Sequence, residues 1–355
     1  MIIGICGFGN SGASAVLDYL RGFDGIGIFE AAEFQILHQA DGICDLKYHL
    51  TQSRDRIACS AAVKRFIRLQ EKGRFAANMR KLIGGKYDEW YKAYTGEIAP
   101  LSWQGITSAY DPPDIGKKKN VGFGAKVQAA LNKILYSVNN RWNFPPKSTK
   151  YFSIMTEEEF DEITKRYMAK LLDLLGCTAD ISVIDMLFSV TNPTQGMEFF
   201  DDARAIVVVR DPRDNFVTAQ LHPEDSRFMP NDSVEKFCEY YRRLMMFAKE
   251  SENVSVIQYE DLIYKYEETT ERIKKLLGLE GRPSHEFEFY IPTYSKRYTR
   301  RENLYKENEA AVKYITEHLS EYLYDFDLAV SPEDDAELMK LIEANKSEYK
   351  GYNLK

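Results

Sequence analysis

Two short segments hold residue types that could bind phosphate. The first is GFGNSGAS, residues 7–14, between an apolar strand at 1–6 and an amphipathic helix at 13–21. Gly7, Gly12 and Ser14 satisfy the spacing G-x-x-x-x-G-x-[ST]. Glycines let the backbone turn with its N–H groups facing inward, and the helix N-terminus adds partial positive charge, so the segment suits an anion. Ser14 adds a hydroxyl donor. A nucleotide-hydrolysing loop needs Lys at position 13 to reach the β- and γ-phosphates. Ala13 stands there instead, which weighs against triphosphate hydrolysis. Gly7, Gly9 and Gly12 also fit G-x-G-x-x-G, with Glu30 near the place of a ribose-binding acid. A dinucleotide site and a ligand-free tight turn both stay open on this segment alone.

The second segment is AIVVVRDPRDNFVTAQ, residues 205–220. A β-branched strand ends at Arg210, on the carboxyl edge where α/β folds bind ligands. Thr218 comes on the next helix. A guanidinium can grip phosphate oxygens bidentately, and a hydroxyl two turns away can add a third hydrogen bond. The competing assignments are an ion pair of Arg210 with Asp211 or Asp214, and plain helix packing for Thr218.

Taken together, the two segments resemble those of the 3′-phosphoadenylyl-sulfate-dependent sulfotransferases. That family joins a glycine- and serine-rich loop, which holds the 5′-phosphosulfate, to an R-[DN]-P-[RK]-D-x-x-x-[ST] segment, which holds the 3′-phosphate. Here the second pattern is complete in Arg210, Asp211, Pro212, Arg213, Asp214 and Thr218. VIQYEDLI, residues 256–263, resembles the family's later strand-to-helix segment, and the stretch from Ser295 to Leu328 its basic loop and closing helices. The resemblance fades over about 50–180, where family members vary with their acceptors.

The resemblance implies transfer of a sulfuryl group from 3′-phosphoadenylyl sulfate (PAPS) to an acceptor, without a metal. It assigns donor binding to Gly9, Asn10, Ser11, Gly12, Ala13, Ser14, Arg210, Arg213, Thr218, Arg297 and Arg300. Carbohydrate-modifying members place a glutamate base soon after the second strand. IFEAAEFQILHQADG, residues 28–42, offers Glu33 first, then Glu30, then His38. This glutamate points to a carbohydrate hydroxyl as acceptor. One position departs from the family: Asn10 stands where Lys or Arg usually meets the bridging oxygen. Asn brings no positive charge, so Lys47, Arg213 or a lysine of the irregular 84–150 zone would have to supply it, while Lys117–Lys119 there read as a solvated loop. Two rival functions remain: a P-loop nucleotide kinase, with Asp185 as its magnesium-binding acid, and an inactive nucleotide-binding protein on the same fold.

These groups need elements to position them. Strands at 1–6, 25–29, 181–188, 204–210 and 254–259 alternate with helices at 13–21, 156–176, 212 onward, 232–250 and 261–277, with further helices at 303–322 and 332–346. That alternation predicts an α/β fold of the three-layer, P-loop NTPase-like kind: a central parallel sheet with helices on both faces. The stretch 45–83 has helical period, whereas 84–150 is rich in Gly, Pro, Lys and aromatics and reads as irregular. We expect one domain over 1–355 with a variable insertion at about 50–180. Trp90, Trp103 and Trp142 lie in that insertion, as core residues or as a sugar-stacking surface.

Composition sets outer bounds. With 44% apolar and 28% charged residues the chain is globular, and a net charge of −7 argues against nucleic acid as a partner. Five scattered cysteines without a C-x-x-C pair indicate neither a zinc site nor a disulfide framework. No apolar run is long enough to span a membrane. A cytoplasmic enzyme with a nucleotide donor and a small-molecule or glycan acceptor is the expectation.

Overall fold

A computed structural model describes residues 1–106, 127, 130–131, 147–221, 228–285, 287–300 and 308–326. Its strands are β1 (Ile2–Gly7), β2 (Ile26–Phe29), β3 (Leu101–Ile106), β4 (Lys147–Phe152), β5 (Ile181–Asp185), β6 (Ala203–Val209) and β7 (Val254–Gln258). Five of them form one sheet in the order β2-β5-β1-β6-β7. Every pairing in it is parallel. The α/β architecture expected from the alternation of strands and helices is therefore present.

The backbone divides into two compact units, Met1–His38 with Leu172–Lys355, and Gln39–Leu171. The first holds the five-stranded sheet. Ile3, Ile5, Val183, Ile206, Val208 and Ile257 project from one face of it, as the period of two in a strand requires. The helix α1 (Ala13–Arg21) packs on them through Val16, Leu17 and Leu20, and the helix Tyr266–Leu277 through Ile273 and Leu277. On the other face Phe188 fills the space that a side chain at position 4 would occupy, so Gly4 is glycine for want of room.

The second unit consists of helices Ile43–Lys47, Arg56–Lys72, Arg74–Ile83 and Gly85–Ile98, the antiparallel hairpin β3–β4, and most of the helix Glu157–Leu174. Its core is aromatic. Trp90 stacks between Tyr87 and Tyr94, with ring centroids 5.5 and 5.8 Å away. The Trp90 Nε1–H donates to the Tyr167 carbonyl at 2.7 Å, so the buried indole is satisfied.

Several boundaries differ from the sequence expectation. The stretch 84–150 begins with a regular helix, because Tyr87, Trp90, Tyr91, Tyr94 and Ile98 recur at helical spacing and bury one face. Trp90 is a core residue, Trp103 is exposed on β3, and Trp142 and Lys117–Lys119 lie outside the described residues. The strand expected at 181–188 stops at Asp185, because Met186 turns to a positive φ of 53. The helix expected at 261–277 breaks at Lys265, whose φ and ψ of −127 and 48 are not helical. Of the helix expected at 303–322, the described part is helical over Glu309–His318 with a 3-10 turn at Ser320–Tyr322, while 303–307 and the helix expected at 332–346 lie outside the described residues.

Gly12 precedes α1 with a φ of 85, and a β-carbon there would collide with the Tyr259 ring. Gly12→Ala therefore combines left-handed strain with a clash against a buried ring at the end of β7. It should destabilise the chain by about 1–3 kcal/mol, read as a lower denaturant midpoint at unchanged slope.

Candidate active site

β1 is the middle strand of the sheet, and the segment after it turns sharply at its carboxyl end. Ser11 N–H bonds the Phe8 carbonyl at 3.1 Å, and Asn10 takes a positive φ of 60. Asn tolerates that conformation better than a long basic side chain. Ser11 is buried, and Ser14 is exposed on the first turn of α1. No side chain caps α1, whose N-cap is Gly12. Ala15 N–H bonds the Gly12 carbonyl at 3.0 Å, and the N–H groups of Ala13 and Ser14 ahead of it are those a helix start presents to an anion.

β6 runs beside β1 and delivers Arg210 to the same edge. Arg210 is buried, at 4% exposure. One of its terminal nitrogens donates to the Asn10 carbonyl at 2.8 Å and the other to the Tyr298 carbonyl. Its guanidinium also lies 5.4 Å from the centre of the Tyr259 ring. Arginine has five N–H donors, and its buried Nε–H has no acceptor among the described residues. Neither Asp211 nor Asp214 takes Arg210 as an ion-pair partner. Asp211 instead binds Arg213 at 2.6 Å and accepts from Tyr324 N–H at 2.9 Å. Asp214 accepts the Arg300 N–H at 2.8 Å.

The other predicted donor-site residues divide accordingly. Asn215 donates to the Gly9 carbonyl at 2.9 Å, so the helix Pro212–Leu221 is tied directly to the loop. Thr218 is buried on that helix. Arg213 is engaged by Asp211 and by the Tyr324 carbonyl at 3.3 Å. Arg300 sits 4.7 Å over the Phe326 ring and donates to the Phe326 carbonyl at 3.1 Å. The Arg297 side chain lies outside the described residues. Within the second unit, Lys47 is paired with Asp161 at 2.7 Å.

Glu30 and Glu33 come after β2, on the far side of β5 from β1. Residues 30–34 are not helical. Both glutamates are exposed. Glu30 pairs with Arg21 at 2.5 Å, and Glu33 accepts from Gln35 Nε2 at 2.7 Å. His38 Nε2 meets the Met186 carbonyl at 3.0 Å, and burial lowers its pKa.

Two further acids close this edge, and their surroundings are set only in three dimensions. Asp185 ends β5, and Glu260 is wholly buried after β7. Glu260 accepts the Asp211 N–H at 3.0 Å and Gln258 Nε2 at 2.7 Å. Burial, then the Asp211 charge, raises its pKa from 4.5 to about 7. The sequence signal for Glu260 is the YEDL segment. Asp185 has only its position at a strand end.

Residues 137–284 match a family model described as Sulfotransferase family. This stretch is sulfotransferase-family sequence. It includes β5, β6, β7 and the complete Arg210–Thr218 pattern, and it excludes the loop after β1. Among solved structures, the chain is similar to the sulfotransferase domain of the Synechococcus PCC 7002 olefin synthase, at 14% identity over 97% of this chain and 94% of that one, with a TM-score of 0.36. It is also similar to the sulfotransferase domain of the curacin biosynthetic pathway, at 15% identity over 91% and 98%, with a TM-score of 0.35. A third is the sulfotransferase STF9 from Mycobacterium avium, at 13% identity over 97% and 76%, with a TM-score of 0.30. No curated protein sequence matches the chain.

The raised Glu260 makes a prediction about pH. Between 4.5 and about 7 the folded chain keeps a proton that the unfolded chain has released. Through this group, stability is lost as pH rises across that window. Glu260→Gln removes the titration, so its denaturant midpoint should gain on that of the parent between pH 5 and pH 8. A midpoint difference that stays constant with pH would assign the proton elsewhere.

Proposed function

We propose that the chain is a single sulfotransferase-like domain with an inserted unit, and that it transfers a sulfuryl group from PAPS to an acceptor hydroxyl. The observation that carries this reading is the family match across Arg210–Thr218, in a chain where Arg210 also bonds the loop after β1. The donor would supply an activated sulfuryl group on a good leaving phosphate. The residues suit such a nucleotide: a glycine-built turn, a helix start whose N-cap is a glycine, and a buried arginine whose Nε–H has no acceptor among the described residues. Ser11, Gly12, Ala13 and Ser14 would receive the 5′-phosphosulfate. Arg210 and Thr218 would receive the 3′-phosphate, with Arg213, Arg297 and Arg300 around them.

The acceptor would approach from the side of β2 and β5, where Glu30 and Glu33 lie. A carbohydrate hydroxyl is the acceptor class we favour, on the strength of those carboxylates. Among the described residues no helix is long and apolar enough to cross a membrane, and we propose a cytoplasmic site of action. A second reading, a nucleotide-binding protein without turnover, is favoured by Asn10, which brings no cation to the leaving oxygen.

Calorimetry with adenosine 3′,5′-bisphosphate, compared with ATP plus magnesium, tests the proposal. The bisphosphate should bind, and binding of ATP alone would overturn the reading in favour of a nucleotide kinase. Arg210→Ala should weaken bisphosphate binding by about 2 kcal/mol, the size of a charge-assisted contact. Release of the bisphosphate from PAPS in an acceptor screen then separates an enzyme from a binding protein.

A further inference from the structure

The carboxyl end of β5 carries a group that donor binding does not use. Asp185 closes that strand in register with Ile5 of β1. Its backbone is pinned on several sides. The Asp185 carbonyl accepts the Phe34 N–H at 3.0 Å, and the next residue, Met186, donates its N–H to the Ile5 carbonyl at 2.9 Å. The Met186 carbonyl meets His38 Nε2 at 3.0 Å. The Asp185 side chain is half-buried, and no Lys, Arg or His pairs with it among the described residues. The titratable groups that face this corner are Glu30 and Glu33 from the segment after β2, His38, and Cys6 of β1.

Strand order separates two tasks. Arg210 comes from β6, on one flank of β1, and still has a buried N–H without an acceptor among the described residues. A donor held from the loop after β1 toward Arg210 takes up that flank, so an acceptor brought in line with the sulfur has the other flank to enter from. The other flank of β1 is β5, and Asp185 is its last residue. Glu30 follows the outer strand and is paired with Arg21, and Glu33 is exposed and held by Gln35. Resting on the sulfuryl-transfer reading above, we propose that Asp185, at the carboxyl end of the strand beside β1, is the base that takes the acceptor's proton.

The step balances simply. The acceptor oxygen bonds to sulfur as its proton passes to an Asp185 carboxylate oxygen. The bond from sulfur to the bridging oxygen of the 5′-phosphate breaks, and its electron pair leaves with the phosphate. Burial, then the charges of Glu33 and Glu30, push the Asp185 pKa up from 3.8 to about 6. A base in that range is ionised at neutral pH and still holds a proton well.

The test measures release of labelled sulfate from PAPS with water as acceptor, from pH 5 to pH 9, beside bisphosphate affinity by calorimetry. Asp185→Asn should bind the bisphosphate like the parent and turn over at least ~100-fold more slowly. The parent rate should fall on the acid side with a midpoint near 6. Glu33→Gln, an exposed and therefore fold-safe change, should move that midpoint to lower pH. Full turnover by Asp185→Asn overturns the proposal, as does an acid midpoint that Glu33→Gln leaves in place. Bisphosphate binding without turnover by the parent also overturns it, while leaving donor recognition intact. A parent that fails to bind the bisphosphate defeats the sulfotransferase reading itself.

Discussion

Everything at the candidate site depends on the hydrogen bonds that hold β1 between two parallel neighbours, β5 and β6. A parallel sheet sends all its strands out at one edge, so the loops leaving adjacent strands meet there. The turn after β1 is thereby joined to Arg210 after β6 and has Asp185 at the end of β5 on its other side. Arg210 and Asp185 thus lie on opposite flanks of β1.

Around this arrangement the polar groups are locked in chains. Arg210 is fixed through the Asn10 and Tyr298 carbonyls, Asp211 through Arg213 and Tyr324, and Asp214 through the Arg300 backbone. Burying these charges costs solvation that their partners must offset. Segments far apart in sequence, at 10, 210, 260, 300 and 324, are thus bound into one network. The two aspartates of the RDPRD pattern hold the frame and leave Arg210 without a carboxylate partner among the described residues. Removal of either would disturb the segment that Arg210 belongs to.

Much of the fold is legible in the sequence. β6 can be read because a run of β-branched residues buried on both faces has few other fates. The loop after β1 can be read because glycine spacing reports backbone conformation directly. The zone from 84 is deceptive because its glycines suggest a loop, whereas Gly84 and Gly85 begin a helix whose aromatic face is buried. Glu30 and Glu33 are legible as carboxylates near a strand end, and their exposure and partners are not.

The sequence by itself determined which chemistry was available: a phosphate-suited turn without lysine, an arginine at a strand end, and no cation at position 10. These are properties of residue type and local spacing, which survive without knowledge of the fold. The tertiary structure decided which of these groups meet. Arg210 and Asn10 lie 200 positions apart, and only strand pairing makes them neighbours. It also decided that Glu260 and Asp185 hold their protons more tightly than ordinary carboxylic acids. Desolvation and nearby charge cause that shift, and neither exists until the chain has folded.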